Sequence, residues 1–196
     1  MHKSKGRPRE FDEEQALASA MNFFWENGYD GSSLNDLLTA MGIGKSSFYQ
    51  TFGSKEELFR RSLELYTQST VEFVRSLLTE KTAREVLHYL PQSLIEELQS
   101  TGKTKGCLLM NSGAECYKQH PQISALIQYE YKAFHKLFVE LIASAKKSGD
   151  ITNTMPTPSL ASVYSSLING VVAMIKAGAN ERQIADVRKH IEAELS

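Results

Sequence analysis

The sequence predicts an all-α chain: an N-terminal helix-turn-helix part of three helices plus a connecting helix, then a larger C-terminal helical part. Three observations predict it. Apolar residues recur at three- and four-residue intervals along most of the 196 residues, which is the period of one helix face. Cap-forming residues (Asp12, Ser33, Ser54, Asn180) stand just ahead of periodic stretches, where their side chains can accept from free backbone amides. No stretch alternates apolar and polar residues as a half-buried strand does, and no repeat or low-complexity tract occurs.

Each element has its own signal. Asp12 opens the first helix with Gln15 reaching back to it, Leu17, Ala20, Met21, Phe24 and Trp25 give it an apolar face, and Asn27-Gly28 stops it. Ser33 and Asp36 cap the second, whose Leu34, Leu37, Leu38 and Met41 face a core. Gly42-Ile43-Gly44 is a tight turn, and residues 45–52 form a third helix with Phe48 and Phe52 inward. Ser54 and Glu57 form a further capping box opening a long helix through Leu58, Phe59, Leu63, Tyr66 and Phe73 to about Leu78. Helices follow over 82–98, disturbed at Pro91, over 105–120, over 121–147, over 158–177 and over 180–195, the last capped by Asn180 with Gln183. The chain therefore divides into a flexible basic arm (1–10), a helix-turn-helix domain (11–60) and a larger helical domain (61–196).

Charge narrows the function. With 22 Lys+Arg against 23 Asp+Glu, the net charge is −1, which argues against coating DNA by bulk positive charge. By segment, residues 1–10 carry +3, residues 11–31 carry −5, residues 32–60 carry 0 and residues 61–196 carry +1. Positive charge thus sits in the arm and at Lys45 and Lys55, with the acids gathered in the first helix. Two cysteines do not make a disulfide-stapled module. The basic N-terminus lacks a following apolar segment, so no signal peptide is read. The largely apolar run from Leu160 to Ile175 is shorter than the ~20 residues a membrane span needs. We expect a buried helix or subunit interface there, no membrane, and a cytoplasmic protein.

Two short helices joined by a glycine-containing turn make a helix-turn-helix. In that motif the first helix lies across the DNA backbone and props the second in the major groove. Phe48 and Phe52 anchor the second helix, leaving Lys45, Ser46, Ser47, Tyr49, Gln50 and Thr51 for phosphates and base edges. Gly6-Arg7-Pro8-Arg9 reads either as an extended arm placing Arg7 and Arg9 in a minor groove or as a solubilising tail.

The run Ser33-Leu34-Asn35-Asp36-Leu37, Gly42 to Phe52 and Ser54-Lys55-Glu56-Glu57-Leu58 resembles the DNA-binding domain of the tetracycline-repressor (TetR) family over roughly residues 10–60. The Gly106-Cys107-Leu108 start and Ala114-Glu115-Cys116 are similar to one subgroup of that family. The resemblance implies a homodimer through about Ser159 to Leu195, a double-stranded palindromic operator, and a small-molecule inducer held in the C-terminal ligand-binding and dimerisation domain. It implies phosphate contacts from Ser33, Lys45, Ser47, Tyr49 and Lys55, and base contacts from Asn35, Ser46 and Gln50. It implies a regulator and not an enzyme, most often a repressor; an activator of the same fold is the alternative.

The sensing half is less legible. Met110, Tyr117, Tyr129, Phe134, Phe138 and Tyr164 are candidate ligand walls. Cys107 follows Lys103 and Lys105 near a predicted helix start, where thiolate is favoured. It reads either as a small core residue or as a thiol-based sensor of electrophiles or oxidants. Cys107 and Cys116 on one helix would stand half a turn and about 13.5 Å apart, too far for a disulfide. His88, His120, His135 and His190 are too dispersed for a metal site, so neither metal nor cofactor is expected. No phosphate loop or nucleophile elbow marks an enzyme.

Overall fold

The computed structural model describes residues 11–101 and 104–196. Among them are nine helices and no strand: α1 (Glu13–Asn27), α2 (Leu34–Met41), α3 (Lys45–Thr51), α4 (Lys55–Leu77), α5 (Ala83–Thr101), α6 (Leu108–Cys116), α7 (Pro121–Ser148), α8 (Thr157–Lys176) and α9 (Glu181–Glu194). The chain forms two compact units, Met1–Leu65 and Tyr66–Ser196. The division falls inside α4, whose first turns bury Leu58, Phe59 and Leu63.

Caps set the helices of the first unit. Asp12 Oδ1 accepts from the amides of Glu14 (2.9 Å) and Gln15 (3.2 Å), and Gly28 ends α1 at φ 75°. Ser33 Oγ accepts from the Asp36 amide (3.2 Å) and donates to its carboxylate (2.5 Å). Ser54 Oγ accepts from the Glu57 amide at 3.0 Å. The Glu57 carboxylate, however, turns forward to Arg60 and does not answer Ser54, so that expected box is half formed. The Arg60 hydrogen bond also holds the Glu57 carboxyl below its usual range.

Aromatic rings fill this unit's core. Phe24, Phe48, Phe52 and Phe59 are at most 1% exposed, each burial being worth roughly 1.5–3 kcal/mol. Phe24 meets Phe59 edge-on at 4.8 Å, and Tyr29 lies 4.9 Å from Phe59. Arg61 fastens the rim: Nη2 is 2.8 Å from Glu13 on α1, and its guanidinium lies 4.9 Å over Phe52.

In the second unit α7 packs against α5, α6 and α8, and α8 packs against α9. One stripe of α7 (Ile123, Ile127, Glu130, Leu137, Leu141, Ala145) is buried. α5 opens with a reciprocal cap between Thr82 and Glu85 (2.7 and 3.2 Å) and runs on through Pro91. Proline has no amide hydrogen, so the carbonyl four residues back loses its helical donor. That carbonyl belongs to Leu87, and the Tyr164 hydroxyl from α8 donates to it at 2.5 Å. Asn180 and Gln183 form the complete capping box expected at α9 (3.0 and 3.1 Å).

Two helices differ from expectation. α6 is Leu108–Cys116, not 105–120. Gly106 takes φ +66°, which no helix accommodates, and extended Cys107 precedes the helix as its cap residue. α8 has 20 residues and is long and apolar enough, by length and composition alone, to cross a membrane. Its apolar residues Leu160, Ala161, Ile168, Val171 and Ile175 lie in the core.

Candidate nucleic-acid interface and ligand domain

The two short helices form the expected motif. Gly42 ends α2 in the left-handed region at φ 65°, donating to the carbonyls of Leu38 and Thr39. The Ile43 amide also donates to Leu38 O at 3.2 Å, and buried Ile43 (9% exposed) pins the turn inward. Gly44 then starts α3 with no side-chain cap on its first amides. Phe48 and Phe52 are 0% and 1% exposed, 6.0 Å apart at i and i+4.

With those rings inward, the polar residues fall outside. Lys45, Ser46, Tyr49 and Gln50 are exposed, while Ser47 and Thr51 are half-buried. Tyr49 is 50% exposed and braced edge-on against Phe48 at 5.2 Å. Ser33 and Asn35 at the start of α2 are exposed. The Lys55 ammonium lies 4.4 Å over the Tyr29 ring, a cation–π contact that fixes it at the start of α4. The Thr51 carbonyl accepts from Arg61 at 3.5 Å. Arg61 was not foreseen; its partner Glu13 is 48 positions away, and no local pattern signals such a pair. Arg7, Arg9 and Lys103 lie outside the described residues.

The candidates of the second unit scatter. Met110, Tyr117 and Tyr129 are 41%, 67% and 71% exposed, so they are not walls of an internal site. The buried stripe of α7 passes through Ile127 and Glu130, which turns Tyr129 outward; Tyr117 lies beyond the end of α6. Phe134 is partly buried against the core, 5.2 Å edge-on to Phe138. Tyr164 is 1% exposed with its hydroxyl committed to Leu87, a core role. Burial drives its phenol well above the usual tyrosine value.

Cys107 is half-buried, Cys116 is buried, and both thiols are free. Burial, and then the adjoining Cys107, push the Tyr66 phenol far above its ordinary value. The turn before α6 is held by Lys176, whose Nζ donates to Lys105 O (3.1 Å) and Asn111 Oδ1 (3.0 Å). Among the described residues no group of three His, Cys, Asp or Glu is placed to hold a metal ion. A surface cleft of about 100 Å³ lies among Arg75, Leu78, Ala83, Leu137, Glu140, Leu141 and Ser144, and none of the predicted walls lines it.

A short anchored helix with a polar outer face, propped by a second across a glycine turn, defines a helix-turn-helix DNA-binding regulator. The chain belongs to the bacterial regulatory proteins of the tetR family: that domain matches residues 16–61, and a tetracyclin repressor-like C-terminal domain matches residues 83–191. It is 29% identical over 147 residues to the HTH-type transcriptional regulator YezE of Bacillus subtilis (strain 168), covering 74% of this chain and 76% of that one. It is 25% identical over 187 residues to the HTH-type transcriptional repressor ComR of Escherichia coli (strain K12), covering 94% and 89%. A cysteine mutant of the TetR family transcriptional regulator CifR, complexed with 26-bp double-strand operator DNA, has a similar structure. The TM-score is 0.79 at 30% identity, over 96% of this chain and 99% of that one.

Proposed function

We propose that this regulator is a repressor, acting in the cytoplasm as a homodimer on a palindromic operator and released by a small molecule bound in the C-terminal unit. The observation that carries the DNA reading is α3, with Phe48 and Phe52 locked inside and Lys45, Ser46, Tyr49 and Gln50 outside. Gln50, Ser46 and Asn35 read base edges; Ser33, Lys45, Ser47, Tyr49 and Lys55 hold phosphates; Thr51 serves either; Arg7 and Arg9 enter the minor groove. A two-fold protein calls for a two-fold site. In support of pairing through Ser159 to Leu195, α8 carries half-buried Val163, Leu167, Gly170 and Met174 beside exposed Ser162, Ser166 and Ala173, a surface that admits close helix approach. An inducer coupling of ~1–3 kcal/mol lowers operator affinity about 5- to 150-fold. The test is selection from random-sequence DNA by the full chain: enrichment of a palindrome is expected, and its absence overturns the reading. Deleting residues 2–9 should weaken binding and flatten its salt dependence; unchanged slope removes the arm.

A second reading rests on Cys107, half-buried ahead of α6 and close enough to Tyr66 to act on its phenol. A thiol there is open to electrophiles or oxidants, and its modification would disturb the start of α6. Operator release on mild electrophile treatment should be lost in Cys107→Ser. If both proteins respond alike, or neither responds, the reading fails. Where the operator lies relative to the promoter fixes repression or activation, and a reporter assay on the selected operator separates the two.

A further inference from the structure

A very short helix does not hold itself in water, because its few hydrogen bonds barely offset the cost of nucleation. α3 has seven residues, no side-chain cap at its start and no basic residue of its own in its last turn. Its placement therefore depends on what the rest of the first unit does to it. Phe48 and Phe52 anchor its inner side. Past Phe52 the chain turns at Gly53, at φ +73°, and α4 begins at Lys55. Tyr49 and Gln50 belong to the last turn of α3, so the placement of that turn sets where they point.

Arg61, nearly two turns into α4, supplies what α3 lacks. Its Nη1 donates to the carbonyl of Thr51, the last residue of α3, at 3.5 Å. Its guanidinium lies 4.9 Å over the Phe52 ring, and Nη2 is 2.8 Å from Glu13 Oε1 in the first turn of α1. The last carbonyls of a helix have no intrahelical donor, and a cation there is favoured. A carboxylate in a first turn is favoured for the converse reason. One side chain thus joins the end of α3 to the start of α1, and a planar guanidinium can fork and stack at once. The Arg61 and Glu13 side chains are 26% and 28% exposed, so the pair is partly shielded from water. The neighbouring Arg60 pairs instead with Glu57 and Glu64, a local ladder along α4.

We infer that Arg61 is a positioning residue for operator recognition: without touching DNA itself, it holds the last turn of α3, with Tyr49 and Gln50, at the pitch that specific contacts need. Base contacts demand a fixed geometry, whereas attraction to phosphates tolerates displacement. Loss of Arg61 therefore lowers specific affinity more than non-specific affinity. The inference rests on the reading of α3 as the recognition helix.

The test measures binding of the full chain to the palindromic duplex enriched from random-sequence DNA and to a scrambled duplex of equal length. Both are followed over a series of salt concentrations, well below each variant's melting temperature. Arg61→Gln should weaken operator binding roughly ten-fold and leave scrambled-duplex binding within about two-fold, with the operator salt slope unchanged. Arg60→Gln removes the same charge one position earlier and should leave operator binding within about two-fold. Glu13→Gln should lower operator affinity by less than Arg61→Gln does, and the double variant should bind no more weakly than Arg61→Gln alone. Unchanged operator affinity in Arg61→Gln, an equal fall on both duplexes, or an equal loss in Arg60→Gln overturns the inference. So does a salt slope reduced by about one, the mark of a direct phosphate contact. If Arg61→Gln does not fold, Glu13→Gln decides, and unchanged operator affinity there overturns the inference. Tyr49→Ala and Gln50→Ala separate the two readings. Weaker operator binding in these with none in Arg61→Gln sinks the inference and leaves α3 as the recognition helix; unchanged binding in both sinks the α3 reading and the inference with it.

Discussion

The Tyr164 hydroxyl donates to Leu87 O at 2.5 Å, taking the acceptor that Pro91 strands inside α5. Tyr164→Phe leaves a buried carbonyl without a donor and should destabilise the protein by about 1–3 kcal/mol in urea melts. Pro91→Ala returns an amide hydrogen to the helix. In that background Tyr164→Phe should cost clearly less, so the double-mutant cycle should be non-additive. Additive effects would show that the two residues act independently.

Arg61 fastens three elements of the first unit through Glu13, Phe52 and Thr51 O. Arg61→Ala should destabilise it by about 1–2 kcal/mol, more than an exposed ion pair would. Arg61→Lys should recover only part of the loss, because an ammonium cannot fork between a carboxylate and a carbonyl while covering a ring. Full recovery in Arg61→Lys would remove the ring and carbonyl contacts from the account.

Phe48 and Tyr49 are adjacent with opposite duties. Phe48→Ala empties a fully buried site and should cost about 3–5 kcal/mol. Tyr49→Ala loses only the edge contact to Phe48, about 1 kcal/mol or less. It should nevertheless weaken operator binding about ten-fold. Melting and binding measured on both proteins check the separation.

Two glycines at similar φ predict different penalties. Gly42 has open space where a Cβ would go, so Gly42→Ala should cost the left-handed backbone alone, about 1–2 kcal/mol. At Gly106 an added Cβ would lie 2.5 Å from Val172 Cγ1. Gly106→Ala should therefore exceed the first by about 1–3 kcal/mol. Comparable melting shifts would show that α8 yields at Val172.

His88 links stability to pH. Burial and the neighbouring Arg84 hold its pKa below the ordinary 6.5, against a smaller opposing pull from Glu192. As pH falls below about 6.5 the unfolded chain takes up the proton first, so stability drops until the folded-state pKa is passed. His88→Asn should flatten that part of the melting profile. An unchanged slope would assign the pH dependence to other groups.

Most helix starts were legible because their signals are local: Asp12, Ser33 and Asn180 each act within three residues. The α3 face was legible for the same reason, since Phe48 and Phe52 at i and i+4 fix which residues look out. α6 was overextended because only the backbone reveals the positive φ of Gly106 and the extended Cys107. Tyr117 and Tyr129 were misread because aromatic character does not say which side of a helix meets the core. Arg61 with Glu13 and Tyr164 with Leu87 span 48 and 77 positions, and only folding brings them together.

The uncapped entry to α3 has an evolutionary consequence. Side chains at α1, α2 and α9 are tied up in capping their own helices. At α3 the backbone of Gly44 does the turning, and two phenylalanines do the holding. Lys45, Ser46, Tyr49 and Gln50 therefore have little structural duty and can be exchanged with small changes in stability. A duplicated copy of this gene could acquire a new DNA address by drift at a handful of codons while its scaffold stayed hidden from selection.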